Sequence, residues 1–152
     1  MISRILRNLM LGASIYSLTA VGAVAMPYVN DRVMDSGLTI LDSEADRIDI
    51  CTQEPTTYTE ATSTYSKGSK DHGAAGTAFG TVGDRTPTGR KVSSTAVTDG
   101  TISGAGTVTH WAVTDVTNSR LLAAGALSAS KVVASGDTWS LASFDIGIAD
   151  AS

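Results

Sequence analysis

The sequence predicts a mainly β protein, an antiparallel β-sandwich or barrel-like domain with a short N-terminal helix. Three observations predict it. Short runs rich in Thr and Val recur about every 8–12 residues in the second half of the chain, the spacing of an antiparallel sandwich or barrel. Turn signals such as Asp99-Gly100 and Ser135-Gly136-Asp137 separate those runs. Thr, Ser, Ala and Gly together supply 73 of the 152 residues, a composition that suits pleated surfaces and tight turns.

Residues 1–25 form a separate unit. Arg4 and Arg7 are its only charges, and Leu9 to Ala25 carries none. A basic start, an apolar middle and the closing Ala23-Val24-Ala25 make a secretory signal pattern. Met26 follows directly, so the same residues also read as an upstream extension from a start codon placed too early. A third reading keeps them as an arm docked on a neighbour, or as an anchor. As a spanning helix the segment is at the short limit and is weakened by Ser14, Ser17 and Thr19. Residues 26–152 then make a single β-rich domain with a Gly-rich loop at 66–89.

Val29, Val33, Met34, Leu38 and Leu41 approximate one helix face, with Asn30 or Asp31 as its cap. Gly37 interrupts that face or ends a first short helix. Arg47 to Cys51 alternates polar and apolar, a strand with Ile48 and Ile50 on one side. Glu54-Pro55 ends it, because Pro cannot continue a central ladder. Thr56 to Tyr65 reads equally as a strand or a short helix. Ser66 to Thr88 holds five glycines and little apolar content, which predicts an exposed loop suited to an inter-subunit contact.

Lys91 to Thr98 and Thr101 to Gly104 read as a hairpin about Asp99-Gly100. Thr107 to Thr114 reads as a strand with Val108, His110 and Ala112 on one face and Thr109, Trp111 and Val113 on the other. Asp115 to Ser119 is a polar turn. Arg120 to Leu127 and Ser130 to Ala134 follow as separate strands. Thr138 to Ile148 carries Trp139 and Leu141, then Phe144, Ile146 and Ile148. That slip in phase predicts a bulge at Ala142-Ser143.

Composition excludes several functions. Charged residues are 17% of the chain, and the net charge is −4, or −6 without residues 1–25. An acidic chain lacks the basic stripe of a nucleic-acid binder. One cysteine excludes a disulfide framework.

The candidate sites each have a structural explanation. Asp42, Glu44, Asp46 and Asp49 carry oxygens that a hard cation accepts. A calcium loop begun at Asp42 would place Arg47 where Gly is needed and Gln53 where Glu is needed. The cluster therefore reads as a solvated turn before a strand. Cys51 reads as a buried small hydrophobe, since a nucleophile needs an activating base such as His110 beside it. His110 reads as packed with Trp111, and His72 as solvated in the loop. Asp49 and Glu54 are a conceivable acid–base pair for a glycan or cell-wall hydrolase. Arg85, Arg90 and Lys91 give a small basic patch. Tyr28, Tyr58, Tyr65 and the two Trp are too dispersed for a base-stacking platform. No nucleophile elbow or Walker loop is present. No catalytic, cofactor-binding or metal-ligating residue is assigned, and no enzyme activity is expected.

The run from Asn30 to Gly68, with DRTPTGRKV, THWAVTD, LLAAGALSASKVV and SFDIGIAD, resembles small structural proteins of tailed bacteriophages. The resemblance covers roughly Val29 to Asp150 and carries no catalytic motif. It implies a non-enzymatic virion component of the head-decoration or accessory type. The implied partners are the major capsid protein or other virion proteins and further copies of the chain, with no nucleic acid and no cofactor. Similar chains begin near the position of Met26, which favours the upstream-extension or docking-arm reading of residues 1–25. A membrane contact follows only if those residues stay attached as an anchor. The alternative is an exported β-sandwich adhesin or binding module, periplasmic or secreted, which rests on the signal-like start.

Overall fold

A computed structural model describes residues 31–150. Residues 1–25, together with the expected helix start at Val29 and the Asn30 cap, lie outside the described residues. The fold is mainly β, with antiparallel sheets curled into a half-barrel and a short helix.

Helix α1 spans Asp31–Glu44. It runs through Gly37 and past Leu41, so Gly37 neither ends nor splits it. Leu38 and Leu41 lie on its buried side, as their spacing predicts. Strand β1 is Arg47–Cys51. A π-helical turn at Glu60–Thr64 resolves the ambiguity over 56–65 in favour of helix. The remaining strands are β2 Ser66–Asp71, β3 Gly83–Asp84, β4 Arg90–Ser93, β5 Val97–Ile102, β6 Gly106–Asp115, β7 Arg120–Val133, β8 Thr138–Leu141 and β9 Asp145–Ile148.

Six strands form one sheet in the order β7-β6-β1-β2-β5-β8. Three more form a second sheet, β3-β4-β9. Every ladder is antiparallel. The concave side of the large sheet contributes Ile48, Ile50, Val97, Ile102, Val108, Val113, Val133 and Trp139 to one core. Leu38 and Leu41 of α1, Val92 of the small sheet and Phe79 from the segment before β3 close that core. Each fully buried aliphatic side chain there contributes about 1.5–3 kcal/mol. Trp111 lies 4.3 Å from Phe144, and Phe144 meets Phe79 edge-on at 6.0 Å. A smaller cluster of Cys51, Ala61 and Ala112 forms behind β1, under the π-helical turn. Strand β1 is therefore buried on both sides.

Five expectations are corrected. The Gly-rich stretch 66–89 is not one loop, since its first six residues are β2, an interior strand between β1 and β5. SKGSKD has no apolar residue to announce a strand. It holds its place through backbone ladders to both neighbours. Gly68 is where β5 comes closest, and a Cβ there would lie 2.5 Å from the Thr101 carbonyl oxygen.

Asp99-Gly100 is not a hairpin turn but part of β5. A Cβ at Gly100 would fall inside the Trp139 indole, so this glycine serves ring packing rather than chain reversal. Residues 91–104 also divide between two sheets, β4 in the small one and β5 in the large one.

Val108 joins Val113 in the main core, while Ala112 turns to the smaller cluster. The two valines are an odd number of residues apart, and the ladder shifts register between Val108 and His110. Arg120 to Val133 is one strand rather than two. Between the pairs His110↔Ala126 and Val108↔Lys131, β7 carries surplus residues that β6 lacks. Finally, the slip near Ala142-Ser143 marks the crossing from β8 in the large sheet to β9 in the small one. A bulge had been expected there.

Strands β7 and β8 are consecutive, joined by residues 134–137. Gly136 in that connection has φ +91°, a left-handed conformation that glycine adopts without steric cost. The two strands nevertheless lie at opposite edges of the large sheet and share no ladder. They bound the open seam of the half-barrel.

Candidate functional site

The acidic residues near β1 belong to the scaffold. Asp46 is buried, and its carboxylate accepts from the Val116 backbone N–H at 3.0 and 3.2 Å. Its main chain donates to the Thr114 carbonyl and accepts from His72 N–H. One residue thereby ties the start of β1 to the ends of β2 and β6. Asp49 is fully buried. Its carboxylate takes Arg47 Nη2 at 2.6 Å and the hydroxyls of Ser66 at 3.1 Å and Thr114 at 3.5 Å. Burial pushes the Asp49 carboxyl above its usual range, against the pull of Arg47 and the two hydroxyls. Glu44 pairs with Arg120 at 3.2 Å.

The solvated turn expected here is therefore wrong at Asp46 and Asp49, which lie inside. Among the described residues no three His, Cys, Asp or Glu side chains gather as a metal-binding group. Glu54 is exposed while Asp49 is sealed, so they do not act as paired carboxylates on one substrate.

Cys51 and His110 do come together. They are direct cross-strand partners on β1 and β6. The pairing does not make a nucleophile, however. The thiol is buried and points its hydrogen at the Ala61 carbonyl, 3.5 Å away. Burial and the neighbouring Asp49 charge push its pKa up to about 12, despite Arg47. His110 Nδ1 shares a 2.8 Å hydrogen bond with the Thr109 hydroxyl. The sequence reading of Cys51 as a buried hydrophobe agrees with this geometry.

His72 is half-buried rather than solvated, with Nε2 enclosed and unpartnered. Burial, followed by the nearby Lys70 charge, lowers its pKa despite Asp71 and Asp99. The basic patch is largely neutralised. Arg90 pairs with Asp84, and Lys91 pairs with Asp145 at 2.7 Å. Arg85 donates to the Thr88 carbonyl at 3.3 Å. Tyr58 and Tyr65 are half-buried near the π-helical turn, and Tyr28 lies outside the described residues.

The feature that sequence reading missed is the cleft in the half-barrel seam. It holds about 290 Å3, with Leu127, Ser128, Ala129 and Lys131 of β7 on one side and β8 on the other. Its floor is Ile50 and Val108, both nearly inaccessible. Leu127, Val133, Trp139 and Leu141 supply further apolar wall, with Ser128, Ser140 and Lys131 among the remaining lining residues. The sequence signal for it is the Trp139–Gly100 pairing together with the surplus residues of β7. Neither can be seen until strand partners are known.

No helix among the described residues is long and apolar enough to cross a membrane. Comparison with protein-family models, with curated proteins and with solved structures finds no match.

Proposed function

We propose that the chain is a non-enzymatic structural component of a phage virion that decorates or stabilises the head and assembles with capsid proteins and its own copies. The observation that carries this reading is the surface of β7. Leu121 to Ser130 gives ten consecutive uncharged residues, exposed or half-exposed, on the longest strand of the fold. Seven of the ten are Ala, Gly or Ser, which lose little side-chain entropy when packed against another protein. The resemblance to tailed-phage structural proteins supports the same reading. So does the anchoring of Asp46, Asp49 and Cys51 in the scaffold, where none is presented to a substrate.

The test is co-sedimentation. Phage particles assembled without this chain are mixed with the purified protein and pelleted. The expected result is saturable recovery with the particles. Recovery no greater than that of an unrelated acidic protein of similar size overturns the proposal. The alternative, an exported binding module, rests on residues 1–25 alone, and recovery solely in the periplasm or medium would favour it.

A further inference from the structure

We propose that the seam cleft between β7 and β8 binds a small amphipathic carboxylate, with its apolar tail in the cleft and its carboxylate at Lys131. The inference does not depend on the virion reading.

Two strands joined by residues 134–137 would ordinarily pair as a hairpin, the commonest outcome for so short a connection. Here they separate. The surplus residues of β7 lie along the parting, between Ala126 and Lys131, and Leu127, Ser128 and Ala129 among them line the cleft. Bulges of this kind are over-represented beside binding and active sites, where they redirect side chains. The space left is mainly apolar. Its volume of about 290 Å3 lies at the lower end of the range for ligand pockets, which sets the ligand as small.

The charge distribution supplies the ligand class. Among the described residues Lys131 is the only charged one lining the cleft, and no acidic one lines it. Lys70, Lys91, Arg47 and Arg120 each hold a carboxylate within the chain. Lys131 holds none among the described residues. It pairs in register with Val108, so the ammonium stem begins directly beside the apolar floor. An apolar tail with one anionic end matches both surfaces, whereas a cation or a fully polar ligand matches neither.

The test uses the full chain with octanoate as probe and octanol as its uncharged counterpart. Binding is read by calorimetry and by Trp fluorescence, since Trp139 lines the cleft. Octanoate is expected to bind more tightly than octanol by about fivefold, the scale of an exposed ion pair, with the preference falling as salt is added. Lys131→Gln is expected to remove the preference and leave octanol binding unchanged. Leu127→Trp fills the cleft and is expected to abolish binding of both, with thermal unfolding confirming that each variant is folded. Lack of octanoate binding, equal binding of the two probes by the native chain, or octanoate binding retained in folded Leu127→Trp overturns the proposal.

Discussion

At the scale of single residues, burial decides chemistry more than identity does. Asp49 has three side-chain donors around it, yet burial still dominates its titration. Because its folded pKa is raised above the unfolded value, the folded state binds the proton more tightly. The associated stability is present at low pH and is lost as pH rises through the folded pKa. Asp49→Asn mimics the protonated form. Its stability relative to the native chain should therefore improve between about pH 4 and pH 7, measured by urea unfolding at both. A difference that is flat or of opposite slope contradicts the burial argument. Cys51 gives a second case. With its pKa up to about 12, only about one thiol in ten thousand is ionised near pH 8. Native protein should resist a thiol reagent such as Ellman's under those conditions and react once unfolded. Prompt labelling of the native state would show that the thiol is accessible. The sequence made the burial of Cys51 legible through its residue type, since a free cysteine behaves as a small hydrophobe. That of Asp46 and Asp49 was not legible, because a run of carboxylates looks solvated until partners from distant strands are known.

At the scale of elements, glycine carries two different meanings that sequence alone does not separate. In α1, Gly37 sits in a helix interior, and a Cβ there would meet only Ile148 Cδ1 at 4.0 Å. Gly37→Ala should stabilise the protein by about 0.5–1 kcal/mol, seen as a higher urea midpoint. At Gly100 the indole of Trp139 occupies the place of a side chain. Gly100→Ala should cost about 1–3 kcal/mol and shift Trp emission to the red as the ring is displaced. An unchanged midpoint would mean that the ring relocates freely. The helix, β1, the start of β6 and the polar turn after Asp115 were legible because their periodicity or turn chemistry is local. Strand β2 was not, because a strand that packs through backbone and glycine has no apolar alternation to read. The split of 138–148 between sheets gave a real signal, the slip in phase, but a bulge and a change of sheet leave the same trace in one dimension.

At the scale of the whole molecule, the two sheets of the described residues end in four edge strands, and all are poor templates for strand addition. Strand β3 has two residues, and β8 and β9 have four each. The long β7 is interrupted by register shifts near Val113 and Val108. Short and bulged edges are how natural sheets avoid edge-to-edge growth. Assembly is thus expected through faces of small uncharged side chains, which restricts partners to surfaces of matching shape. Low charge, 17% of residues, fits dense arrays in which like-charge repulsion would otherwise accumulate. The fold class was legible in the sequence from turn spacing and composition, whereas the open seam was not, since closure depends on whether the first and last strands of the sheet meet. The central claim, a structural role in a virion, is tested most directly by mass spectrometry of purified particles. The prediction is that peptides from residues 47–148 occur in the particles at a constant ratio to the major capsid protein. Repeated absence of those peptides from particles, with the chain recovered elsewhere in the cell, would contradict it.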